Sequence, residues 1–158
     1  MRTTLFILMI ILGAGLTGCG MGKDGPKESE LALIQTTNPS PALLEKNTRA
    51  NLDLMERIKK DVTDMKELYD VAIVKGKKDI LVAYKVKHRY RFQMKKIEKK
   101  LNDKLEKKYP DEKFTVSSDY KIFLEAVKLN EKMKDPDFSN EKANKELKDI
   151  IKLKQEMT

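Results

Sequence analysis

The residue with the most pointed chemistry in this chain is its single cysteine, Cys19. It closes the run Leu16-Thr17-Gly18-Cys19, behind Arg2 and the apolar stretch Leu5 to Leu12. A branched residue, a small residue, Gly and then Cys make a lipobox. Small side chains let a membrane peptidase reach the backbone at the cut, and the thiol is the group on which a diacylglycerol thioether forms. The apolar stretch is shorter than the ~20 residues a spanning helix needs. Residues 1–18 therefore read as a lipoprotein signal peptide cleaved before Cys19. One cysteine cannot close an internal disulfide. A structural cysteine in an ordinary signal or spanning segment would leave the lipobox unexplained. At about 0.8 kcal/mol per buried methylene, the two or three palmitate-like chains of such an anchor hold a protein firmly to a bilayer. This covalent lipid is the only prosthetic group expected, and the expected location is the extracytoplasmic face of the cell membrane.

Basic side chains are the second feature. Between Lys85 and Lys108, eleven Lys or Arg face three acids, an excess of +8 that equals the formal charge of the whole chain. Apart from Lys85 at the strand end, the cations expected on the solvent side are Lys87, Arg89, Arg91, Lys95, Lys96, Lys99, Lys100, Lys104, Lys107 and Lys108. Concentrated positive charge attracts polyanions at long range. Outside a membrane these are anionic lipid headgroups, phosphate-bearing wall polymers or an acidic protein of the envelope. A solvated Lys-rich helix serving solubility explains the same residues. Nucleic acid is disfavoured as a partner, because the anchor sets the domain on the other side of the membrane and no DNA-binding motif is present.

Catalytic and metal chemistry have few candidates. His88 is the only histidine and sits among cations, in Lys87-His88-Arg89. Ser117-Ser118-Asp119 could pose as a nucleophile pair. The same run before an apolar helical stretch is a helix cap. One His, and no thiol left after acylation, exclude ordinary zinc sites. Asp135-Pro136-Asp137 lacks the spacing and Gly of a calcium loop. Lys75-Gly76-Lys77-Lys78 is not a phosphate loop but a hairpin turn with a solvated charge cluster. The chain is thus expected to be no enzyme and to hold no metal.

The elements that carry these groups follow from periodicity. Residues 19–47 hold Gly25-Pro26 and Asn38-Pro39-Ser40-Pro41, breaker signals that suggest a flexible tether of roughly 30 Å behind the lipidated cysteine. The domain is expected over 48–158. Leu54, Ile58, Val62 and Met65 mark a helix face, with Thr48 as its cap. Asp70 to Val74 and Ile80 to Val86 read as a hairpin. Met94, Ile97, Leu101 and Leu105 mark a helix over 90–109 that Pro110 stops. A strand over 113–117, a helix over 120–134 capped by Asp119, and a last helix over 140–155 with a thin apolar stripe complete the order. The expected fold is α+β, a small two-layer sandwich of order α-β-β-α-β-α-α with helices on one face.

The lipobox followed by Gly20, the helix-then-hairpin segment Val71 to Val86, and the stretch Val116-Ser117-Ser118-Asp119-Tyr120-Lys121-Ile122-Phe123 resemble the sporulation lipoproteins of the YhcN/YlaJ family. The resemblance covers roughly Leu54 to Lys134, with Tyr120 where that family usually has Pro. It implies a spore protein at the inner spore membrane, supporting germination or outgrowth. It carries over no catalytic residue.

Overall fold

A computed structural model of the chain describes residues 38–44 and 49–157. The expected signal peptide, Leu16 to Cys19, most of the expected tether and the expected Thr48 cap lie outside the described residues. The element order is β1 (Ala42–Leu43), α1 (Arg49–Thr63), β2 (Leu68–Lys75), β3 (Asp79–Val86), a 3-10 helix (His88–Gln93), α2 (Met94–Lys108), β4 (Lys113–Ser117), α3 (Tyr120–Lys132) and α4 (Asn140–Glu156). The strands form one mixed sheet in the order β1-β2-β3-β4. β2 and β3 pair antiparallel, while β1 runs parallel to β2 and β4 parallel to β3. Parallel neighbours need a crossover, and α1 and α2 supply the two.

The α+β class and the order of the expected elements hold. The expected two layers become three, because helices cover both faces of the sheet. On one face Ile73, Ile80, Val82 and Tyr84 pack with Met55, Ile58 and Val62 of α1 and with Ile97, Leu101 and Leu105 of α2. On the other, Ala72, Val74, Leu81 and Ala83 pack with Ile122, Phe123 and Val127 of α3 and with Leu147 and Ile150 of α4. The pleat sends alternate side chains to opposite faces. β2 and β3 are apolar without a break from Val71 to Val74 and from Ile80 to Tyr84, so each face demands a cover. Burying a Leu, Ile or Phe stabilises by roughly 1.5–3 kcal/mol, and α4 gains this through Ala143, Leu147, Ile150 and Ile151, all buried. Its thin stripe therefore packs within the chain, against α3 and the sheet.

The domain also begins earlier than Thr48. Ala42 and Leu44 are buried, and β1 adds an edge to the sheet beside Val74 and Lys75. Asn38, in the left-handed region at φ 45°, donates its backbone N–H to Asp70 Oδ1 at 2.7 Å. Asn tolerates this backbone better than most residues. Asn130 donates its amide to the Ser40 carbonyl. Residues 38–44 thus belong to the fold rather than to the tether. At the hairpin, Gly76 packs so closely under α4 that a Cβ would lie 2.9 Å from Leu147 Cδ2.

Candidate functional site

The basic segment runs from the end of β3 through the 3-10 helix and along α2. Within α2, residues 97, 101 and 105 turn toward the sheet, so the lysines fall on two other tracks of a 3.6-residue helix. One track faces α1. There Lys104 Nζ donates to the Asp61 carbonyl at 2.6 Å, and Lys108 Nζ lies 2.7 Å from the Asp61 carboxylate. Tyr109 Oη donates to the same carboxylate at 2.5 Å. Lys100 Nζ reaches Glu67 Oε1 at 3.1 Å. Partial burial alone would raise the Asp61 pKa. Hydrogen bonds from Lys108 and Tyr109, and the charges of Lys108 and Lys104, outweigh it and hold the carboxyl below its ordinary value. Glu67 is held low as well, first by its own backbone and against its burial, then by Lys100. Burial and the bond to Asp61 raise the Tyr109 phenol. Lys100, Lys104 and Lys108 are fasteners between α2 and the α1–β2 region.

The other track is the exposed crest. Lys99 pairs with Asp103 at 2.8 Å, one turn along the helix, which raises its pKa. Lys87 donates to the Lys66 carbonyl at 2.7 Å. Arg89 stacks over the Tyr90 ring, 4.9 Å from its centroid. Arg91, Lys95, Lys96 and Lys107 are exposed and make no hydrogen bond or ion pair with the described residues. The ten expected cations therefore do not act as one face. Three hold α2 to the α1–β2 region, and of the four without a partner among the described residues Arg91, Lys95 and Lys96 gather where the 3-10 helix meets α2, while Lys107 sits in the last turn of α2. Lys85 leaves the basic face altogether. It lies on the α3 side of the sheet, 2.9 Å from buried Asp70 and 4.3 Å above the Phe123 ring. Lys75 is likewise buried, paired with Glu112 at 2.6 Å, so only Lys77 and Lys78 of the turn are solvated.

Periodicity alone missed one residue of this region. Segment 88–93 is a 3-10 helix with no buried residue, and Phe92 projects from it fully exposed. An isolated phenylalanine inside Arg-Phe-Gln was the available signal.

The groups considered for catalysis have other partners. Asp119 caps α3, accepting from the backbone N–H of Lys121 and Ile122 at 2.8 and 3.1 Å. Ser117 Oγ accepts from Asp119 N, and Ser118 Oγ donates to Glu98 Oε2 at 3.3 Å. Lys154 holds the other Glu98 oxygen at 3.1 Å. These residues line an open cleft of about 880 Å³ between α2, β4 and α4. Under it the Tyr84 hydroxyl is buried and makes no well-directed hydrogen bond. Burial first, then the Glu98 charge, raise its pKa, against a weaker pull from Ser118. His88 is exposed. Among the described residues no three His, Cys, Asp or Glu side chains converge to hold a metal ion, and no helix is long and apolar enough to cross a membrane. No protein-family model, curated protein or solved structure matches this chain.

Proposed function

We propose that this chain is a lipoprotein, held by acyl chains on Cys19 to the outer face of a cell membrane, whose folded domain is a non-enzymatic interaction module. The observation that carries the proposal is the sole cysteine at the end of Leu16-Thr17-Gly18-Cys19, behind an apolar stretch too short to span a bilayer. The resemblance to sporulation lipoproteins extends it to the spore, where the module would support germination or outgrowth. The use of Asp119 and Ser117 at the start of α3, and of Ser118 in a bond to Glu98, supports a role other than hydrolysis. The cations without a partner among the described residues support binding to an anionic surface.

A second reading, favoured by those same cations, is a module that binds anionic lipid or wall polymer in growing cells. Timing separates the two: synthesis confined to sporulation supports the first, and steady vegetative synthesis the second. A third role, as an envelope-complex subunit docking through Ala143 to Ile151, loses its surface, since α4 already spends that stripe on α3 and the sheet. The anchor is tested by mass spectrometry of the mature product and by detergent-phase partition. Cys19→Ala is expected to abolish processing and acylation. A wild-type product with an unprocessed start and a bare thiol refutes the proposal.

A further inference from the structure

Phe92 is the most exposed large apolar residue among those described, and it stands within the densest unneutralised charge of the chain. No Asp or Glu occurs between Asp79 and Glu98, and Glu98 is already held by Lys154 and Ser118. Arg89, Arg91, Lys95 and Lys96 surround the ring in sequence, and all four are exposed.

Three local rules of stability are broken at this one place. The first turn of α2 has no acidic residue and instead holds Lys95 and Lys96. Cations there oppose the positive end of the helix dipole. Gln93 precedes α2 without a side-chain cap, and the 3-10 helix before it is also uncapped and is six residues long, beyond the usual run. The phenyl ring is left wholly in water. Local rules broken together, without compensation inside the fold, mark a site whose partner lies outside it.

We infer that this tip docks into a bilayer surface containing anionic lipid, with Phe92 seated at the level of the upper acyl chains and Arg89, Arg91, Lys95 and Lys96 among the headgroup phosphates. The combination decides the partner. A soluble wall polymer would use the cations and leave the ring in water. A bilayer uses both, because its interface accepts an apolar side chain beside cationic ones. A ring that projects with no groove around it suits a deformable surface. The inference rests on the domain being a membrane-side interaction module. It fixes which end of the domain meets the membrane.

The chain has no tryptophan, so Phe92→Trp places a unique reporter at the tip. The full chain carrying Phe92→Trp and Cys19→Ala is mixed with vesicles of phosphatidylcholine, alone or with phosphatidylglycerol. The readout is local to residue 92, so the apolar N-terminal stretch does not confuse it, and it does not need the acyl anchor. The expected result is a blue shift, protection from iodide and quenching by brominated lipid, all only with phosphatidylglycerol present. Each of Lys95→Gln and Lys96→Gln is expected to weaken this about fivefold, the worth of one cation at an anionic surface. Leu52→Trp, exposed on α1, is expected to stay solvent-like. Emission at residue 92 that remains solvent-like on anionic vesicles overturns the inference. So does an equal shift at residue 52, and so does binding of a soluble polyanion without any change at residue 92. None of these outcomes bears on whether Cys19 is acylated.

Discussion

Two double substitutions remove the same formal charge from α2 and are expected to act in opposite ways. Lys95→Gln/Lys96→Gln removes two cations that make no hydrogen bond or ion pair with the described residues, and Lys104→Gln/Lys108→Gln removes two that grip Asp61. At an anionic surface a cation contributes about 1 kcal/mol. The first pair should therefore cost about 2 kcal/mol of vesicle binding, roughly a 30-fold loss. Its effect on folding should be nil or slightly favourable, since two charges leave the positive end of a helix dipole. The second pair removes hydrogen bonds of 2.6 and 2.7 Å to Asp61. Charge-assisted bonds are worth about 1.5–3 kcal/mol. With Lys108 half exposed, the discount for solvent brings the pair to about 1–2 kcal/mol. For a domain of this size that lowers Tm by roughly 3–8 °C. Lys108 lies about 18 Å along the helix from Lys96, beyond the Debye length of about 10 Å at 0.1 M salt. Its loss should change binding far less. The assays are vesicle co-sedimentation near that ionic strength and thermal unfolding by circular dichroism. Equal losses of binding from both pairs would mean that net charge rather than the tip sets the interaction. A fall in Tm from the first pair alone would refute the division of labour between the two tracks.

Two further outcomes follow from the carboxylates. Asp61→Asn should cost about 1–2 kcal/mol at neutral pH. Because the folded carboxyl titrates below its ordinary 3.8, this stability is present above that pH and is lost as pH falls through the folded value. Urea unfolding of wild type and variant should thus converge in acid and differ at pH 7; a gap that persists below the folded value contradicts the assignment. Asp70→Ala should be the more damaging change, about 3 kcal/mol, because it strands Lys85 under Phe123 and frees the Asn38 backbone. Chemical denaturation checks it, and a loss under 1 kcal/mol would show that the buried pair contributes little.

Much of the fold was legible because local patterns and tertiary demands agree. Asp119 caps α3 as its position before an apolar run suggests, and Ser139 caps α4. The faces of β3, with Ile80, Val82 and Tyr84 opposed to Leu81 and Ala83, fall on the two cores as alternation requires. The third layer was also present in the pattern. Val71-Ala72-Ile73-Val74 is apolar at every position, which marks a strand covered on both sides rather than one side wet. The two-residue strand β1 was hidden by the prolines around it. Its place is fixed by contacts with Val74 and Lys75, some thirty residues away. The candidate site was half legible: a count of lysines locates the basic segment but not the carboxylates that meet it.

The sequence by itself determined the features whose physics is local. These are the run Leu16-Thr17-Gly18-Cys19 with its single thiol, the helix and strand periods, the caps, and the acid-free stretch around residues 80–97. Only the tertiary structure decided which of those charges remain available. Lys95 and Lys104 look alike along the chain. Asp61 lies some forty residues from Lys104, and the packing of α1 and α2 on the same face of the sheet brings it beside Lys104 and not Lys95. Whether a cation is spent within the fold or left for a partner depends on a few ångströms across that packing, because hydrogen bonds and screened charges act only at short range.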